Sequence, residues 1–179
     1  MNKPFKIDVK AHLKNVNYTK GVLVKRILWS AGKVIFGLSP KPFFRFRNFI
    51  LRLYGAKIGS NVRIYPSAEI FFPWNFQCDN NVLVSWNVKL YTLGKIHIKE
   101  NVIISQFSHL CAGSHDIRFS NLPLITQPIV INSHVWICAN TFIGPGVTIN
   151  SHSIIGAGVV VMNDVKEGST IRAATPEIT

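Results

Sequence analysis

Acidic side chains are scarce in this chain: 8 Asp and Glu stand against 20 Lys and Arg, for a formal net charge of +12. Cysteine is sparser still, with Cys78, Cys111 and Cys138 at unrelated spacings. That pattern excludes a disulfide framework and a cysteine-based zinc motif, and it predicts reduced thiols in a cytoplasmic protein. Long hydrophobic runs are missing too. The longest, Ile27–Leu38, is interrupted by Lys33 and falls well short of the roughly 20 residues that cross a bilayer. Met1–Lys20 lacks the apolar stretch of a secretory leader, so none is expected. No linker-like tract divides the 179 residues, and 47% hydrophobic content is ample for one core.

The basic excess is confined to one end. Residues 1–57 hold 13 Lys and Arg with the single acid Asp8, whereas residues 58–179 hold 7 bases and 7 acids. Nucleic acid is not an expected partner, because no recognition motif accompanies the charge. Val22–Phe36 and Phe43–Tyr54 read as two helices separated by Ser39-Pro40-Lys41-Pro42, which should break one and open the other. In the second helix Phe46, Phe49, Ile50 and Leu53 follow i, i+3, i+4, i+7, while Arg45, Asn48 and Arg52 line another side. Such helices can cap the fold that follows, and they can also lie on an anionic membrane at the inner face of the cytoplasmic membrane. The two roles are compatible. The expected division is a basic helical segment at 1–57 followed by a repeat domain at 58–179.

Within that domain an aliphatic residue returns every sixth position: Ile131, Ile137, Ile143, Ile149, Ile155 and Val161. The fifth places, Val135, Thr141, Val147, Ser153, Val159 and Val165, are small or β-branched, and Gly, Asn, Pro and Ser gather at the second and fourth. Neither a helical period of 3.6 nor an alternation of 2.0 gives this spacing. A short strand and a tight turn, repeated and stacked into a solenoid, does. Earlier hexads begin at Ile58 and Ile64, slip, resume at Cys78, Val84 and Leu90, and resume again at Ile98, Ile104 and Leu110 after two residues are added near Gly94–His97. Extra residues of this kind place a bulge at one edge.

After Ser114 the period stops, and the loop 115–128 intervenes before Ile131 restores it. A loop thrown out of a regular solenoid usually serves a binding face. It opens on His115, whose side-chain type titrates near neutrality, followed by Asp116, a carboxylate able to orient or charge-stabilise the ring. His97, 18 residues earlier, would stack beneath it if the coil were 18 residues long. From position alone, a satisfied surface histidine without chemistry is the favoured reading.

The repeat resembles the hexapeptide-repeat proteins, whose fold is a left-handed parallel β-helix of triangular section, and most of which are acyltransferases. Ser114-His115-Asp116 followed by Pro123, then Trp136-Ile137, Gly144-Pro145-Gly146 and Ile155-Gly156-Ala157, is similar to acetyltransferases of capsule and colanic acid biosynthesis. The wider group includes maltose and nodulation-factor O-acetyltransferases. The likeness runs from about Arg26, through the lead-in at Gly55–Gly59, to about Val165.

That resemblance implies acetyl-CoA as cosubstrate, a saccharide or lipid-linked glycan as acceptor, a homotrimer with acyl-donor clefts between prisms, and His115 as general base. It implies Ser85 and Asn87 as polar substrate contacts, although Asn87 reads equally as a turn residue. Trp136, Ala139, Ala157, Met162 and Asn163 are the implied coenzyme contacts, Ala139 and Ala157 being small residues 18 apart on one edge. The chain departs from the family where Met162-Asn163 replaces a common Thr-Lys pair, and where Ala174–Glu177 replaces a Gly-Asn-Pro-Ala ending with a basic tail. Two alternatives stay open. Likeness to γ-class carbonic anhydrases would make His109, His115 and His134, with Cys111 nearby, zinc ligands, although the expectation is that no metal is bound; a trimeric scaffold without catalysis is the other.

Overall fold

The computed structural model describes residues 6–14 and 18–173; the divergent Ala174–Glu177 ending lies outside them. Each hexad forms a two- or three-residue strand whose opening Ile, Val or Leu points inward, and successive strands lie on three different faces. Stacked coils pair in parallel into sheets of five, six and five strands, giving the left-handed parallel β-helix. Residues such as Ile64, Ile98, Ile104, Ile131, Ile137 and Ile155 are fully buried along its axis, each worth about 1.5–3 kcal/mol of burial. The fourth place of the hexad is left-handed: Asn61, Asn81, Asn101, His134, Asn140, Gly146 and His152 all have φ between 51° and 82°. Asn recurs there because its short polar side chain tolerates that backbone.

The register shows where the coils differ. The step between inward residues is six at the first corner, as from Ile58 to Ile64 or Ile131 to Ile137, and six at the second, as from Ile64 to Ile70 or Ile104 to Leu110. At the third corner it is eight from Ile70 to Cys78 and from Leu90 to Ile98, 21 from Leu110 to Ile131, six from Ile143 to Ile149, and four from Val161 to Val165. All variation in coil length thus collects on one edge. The slip near Gly94 is one instance, and a second occurs at 71–75 one coil earlier. Two sequence expectations change. Val165 bridges Ile149 and takes an opening place, so the hexad begun at Val161 is shortened. His97, on a 20-residue coil, pairs in register with Gln77 and Val130, and its Nε2 lies 3.1 Å from Asp79 Oδ1 rather than under His115.

Among the described residues three helices precede the coils: α1 at Val9–Lys14, α2 at Lys20–Leu38 and α3 at Phe44–Leu53. The two long ones match the expected pair, with the Pro40–Pro42 break between them, and α1 is additional. They cover the open end of the solenoid, and α3 does so with polar side chains as well as apolar ones. Of its apolar stripe only Ile50 is buried; Phe46, Phe49 and Leu53 face outward, while Arg47 and Asn48 face in. The reason is the row of carbonyls that the first coil presents with no strand before it. Arg47 Nε donates to Ile64 O at 2.7 Å, Asn48 Nδ2 to Val62 O at 2.8 Å, Arg52 Nη2 to Ile58 O at 2.9 Å and Trp29 Nε1 to Ile70 O at 2.9 Å. All three faces of the first coil are thereby terminated.

Candidate active site

The 21-residue excursion at the third corner is an antiparallel hairpin, Gly113–His115 paired with Leu124–Thr126. Its root is seated on the coil below: Gly94 N donates to Ala112 O at 3.1 Å, and Ile129 N to Lys95 O at 2.9 Å. A Cβ at Gly94 would stand 2.7 Å from Ala112 O and 2.9 Å from Gln127 O, so only glycine lets the hairpin sit this close. At the tip, Asp116 N donates to Pro123 O at 2.9 Å, and the Asp116 carboxylate takes Arg118 Nε at 2.8 and 3.1 Å. Hydrogen bonds from the Arg118 side chain, then from its backbone N–H, hold the Asp116 carboxyl down to about 2.

His115 is exposed at the end of the first hairpin strand. Its Nδ1 lies 2.7 Å from the Leu122 carbonyl. A carbonyl only accepts, so Nδ1 carries the proton, and in the neutral ring the lone pair is on Nε2. Leu122 has φ of 47°, an unusual backbone for leucine that turns its carbonyl toward the ring. The ring is therefore oriented by a main-chain oxygen, not by Asp116, whose carboxylate is engaged with Arg118.

A second imidazole stands beside it. His12 of α1 meets the His115 ring edge-on at 5.2 Å between centroids, and its Nδ1 lies 3.0 Å from the Asn121 carbonyl. Consecutive carbonyls of the hairpin, Asn121 and Leu122, thus each hold one imidazole. The α1 segment is fixed there by Asp8 N donating to Ser120 O at 2.9 Å, and Asp8 Oδ1 caps the helix by accepting from Ala11 N. His12 is absent from the sequence-derived candidates. The Asp8 cap followed by a short helical stretch was the one signal that could have raised it.

The remaining candidates divide between two edges. Met162 and Asn163 share the third corner with His115, and Met162 Sδ lies 2.6 Å from the position a Cβ on Gly144 would take. Ser85, Asn87, Ala139 and Ala157 lie on the second corner, where Gly158 N donates to Ala139 O at 2.9 Å. Asn87 holds a left-handed turn there, with φ of 55°. Trp136 stands exposed on the second face, its Nε1 donating to Ser105 Oγ at 3.0 Å. A face of six residues is on the order of 15–20 Å wide, so one chain does not bring these two groups together.

His109 packs edge-on against Phe142, His134 stacks flat on His152 at 4.9 Å, and His115 stands on the hairpin. Among the described residues no cluster of three or more His, Cys, Asp or Glu converges on a metal position. Burial pushes the Cys78 thiol up to about 12 and raises Cys138 as well, which makes both poor nucleophiles.

No family model matches the chain. It is 42% identical over 132 residues to an Escherichia coli protein named as the colanic acid biosynthesis acetyltransferase WcaF, covering 74% of this chain and 72% of that one. The galactoside O-acetyltransferase of Escherichia coli is 26% identical over 168 residues, covering 92% and 83%. A hexapeptide-repeat acetyltransferase from Vibrio cholerae, solved with acetyl coenzyme A, superposes with a TM-score of 0.81 at 23% identity over 87% of this chain and 85% of its own. The six-residue period, the prism it builds and the identity to WcaF agree, and the chain belongs to the hexapeptide-repeat acetyltransferases.

Proposed function

We propose that the protein transfers an acetyl group from acetyl-CoA to a sugar hydroxyl, of a capsule or exopolysaccharide precursor that is free or lipid-linked, with His115 as general base. The observation that carries this reading is the hydrogen bond from His115 Nδ1 to the Leu122 carbonyl, which in the neutral ring puts the lone pair on Nε2, on a side chain exposed at the hairpin. A sugar hydroxyl is a weak nucleophile. Proton removal at Nε2 as its oxygen attacks the thioester carbonyl is worth roughly 10²–10⁴ in rate. The carbon–sulfur bond then breaks, the imidazolium returns its proton to the departing thiolate, and the Leu122 carbonyl stabilises the ring while it is charged. Asp116 contributes by fixing the hairpin tip through Arg118.

Acetyl-CoA supplies the activated acyl group. The second corner suits its pantetheine arm, because Ala139 and Ala157 leave the backbone open to a chain bearing amides. Trp136 would wall the groove, with Met162 and Asn163 offering no cation to the coenzyme phosphates. Ser85 and Asn87 supply polar atoms for acceptor or oxyanion. Because Ser85, Asn87, Ala139 and Ala157 lie on a different edge from His115, Met162 and Asn163, the complete site requires the third corner of one copy against the second corner of the next, as a homotrimer provides.

The test is coenzyme release from acetyl-CoA across a panel of mono- and oligosaccharides and lipid-linked glycans. Acceptor-dependent release with at least one saccharide is expected. Release independent of every saccharide, or acetylation confined to amines, would overturn the reading.

A further inference from the structure

The cap is built inside out. In α2 the inward face carries Trp29, Gly32 and Phe36, yet Val24, Ile27, Leu28, Val34, Ile35 and Leu38 are each more than half exposed, Ile27 at 72% and Leu38 at 80%. At 100° per residue these side chains, with Leu23 and Ala31, fall within an arc of about 140°. No charged residue interrupts that arc from Val24 to Leu38. In α3 the same inversion leaves Phe46, Phe49 and Leu53 outside, with Phe43 beside them. The two ridges are continuous, since Leu28 and Leu53 line one groove of about 400 Å³ with Lys25, Tyr54 and Trp74.

Charge frames this apolar surface with one sign only. From Val9 to Ala68 there is no Asp or Glu. Arg47 is buried against carbonyls, and Lys33 faces Glu69 at 4.0 Å. Among the described residues Lys20, Lys25, Arg26, Lys41, Arg45 and Lys57 have no carboxylate partner. Among the described residues no helix is long and apolar enough to cross a membrane. A ridge of aliphatic and aromatic side chains flanked by cations is the pattern of a helix lying in a lipid interface. A second copy is a poor occupant, because two acid-free faces would oppose like charges.

We propose that the outer face of α2 and α3 docks the protein on a bilayer carrying anionic lipids, with both helices in the plane of the interface, their apolar ridges in the acyl boundary and the flanking Lys and Arg among the phosphates. This inference does not rest on the acetyl-transfer reading.

The experiment is sedimentation of the full chain with vesicles of phosphatidylcholine alone, or with about a third phosphatidylglycerol, against the double variant Ile27→Glu, Leu38→Glu and against Lys25→Glu, Arg45→Glu. Both positions of the first pair are exposed, and circular dichroism checks the fold. Expected are binding to the anionic vesicles, at least about tenfold loss in either double variant, and similar weakening in high salt. Equal sedimentation of wild type and variants, or no sedimentation with either vesicle, would overturn the proposal. So would a smaller lipid-free assembly for the Ile27→Glu, Leu38→Glu variant, which would make the ridge an interface between copies. Coenzyme release with a soluble acceptor reads the acetyl-transfer proposal separately and is expected to be unchanged in both variants.

Discussion

The axis of the prism and its third corner are wound from the same chain and obey opposite rules. Along the axis one residue type recurs at one spacing, and Ile98, Ile104, Ile131 and Ile137 are interchangeable members of a stack. At the third corner no two neighbouring stretches beyond the first pair agree: steps of eight, eight, 21, six and four residues follow one another. Corners tolerate this because a turn faces solvent and its length does not alter which residues point inward on the next face. The axis does not, since a shift of one residue would turn a polar neighbour into the core. Stability is therefore written in the repetition, and the hairpin that carries His115 occupies the edge where repetition fails.

The comparison is broken most severely by attacking the capped end of the stack. Arg47→Ala would strand the Ile64, Pro40 and Lys41 carbonyls and the Ser39 hydroxyl that this fully buried guanidinium satisfies, costing about 3–5 kcal/mol. Thermal unfolding should show a fall on the order of 10 °C, and Arg47→Lys should recover only part of it. An unchanged midpoint would mean that the end of the solenoid needs no such termination.

Gly94→Ala sharpens the distinction, because it strikes the hairpin root and spares the axis. The added methyl meets Ala112 O and Gln127 O, so a stability loss of about 1–3 kcal/mol is expected. Displacing the hairpin by even an ångström should lower coenzyme release by about ten- to a hundredfold. A steady-state assay beside a melting curve separates the two effects.

Asp116→Asn should matter least. The carboxylate holds Arg118 and not the His115 ring, so turnover should fall less than about fivefold. The pH consequence follows from the lowered value: a carboxyl held at about 2, against 3.8 when free, stabilises the tip above pH 3.8 and loses that contribution only as pH falls toward 2. Its titration therefore puts no inflection in the rate profile between about pH 5 and 8; a limb there that vanishes in the variant would restore Asp116 as the partner of the imidazole.

The sequence was most readable where physics demands repetition. Ile131 to Ile155 could be assigned inward from period alone, and so could the turns, because left-handed corners select Asn and Gly. The inward side of α3 was not legible from its spacing for a physical reason: the bare carbonyls of the first coil reward Arg47, Asn48 and Arg52 more than they reward Phe46 and Phe49. At the candidate site, His115 could be singled out because it opens the break. Its true support was not, since a backbone carbonyl turned by Leu122 leaves no mark in side-chain chemistry. His12 lies more than a hundred residues away in sequence, and only the folded chain brings it to the ring.

The claim on which the account rests is that the free Nε2 of His115 moves the proton. The decisive measurement is the turnover number of His115→Ala with a productive acceptor, taken beside its circular dichroism and melting temperature. A loss of about 10²–10⁴ in an otherwise unaltered fold is predicted; turnover within about tenfold of the parent protein would contradict the account.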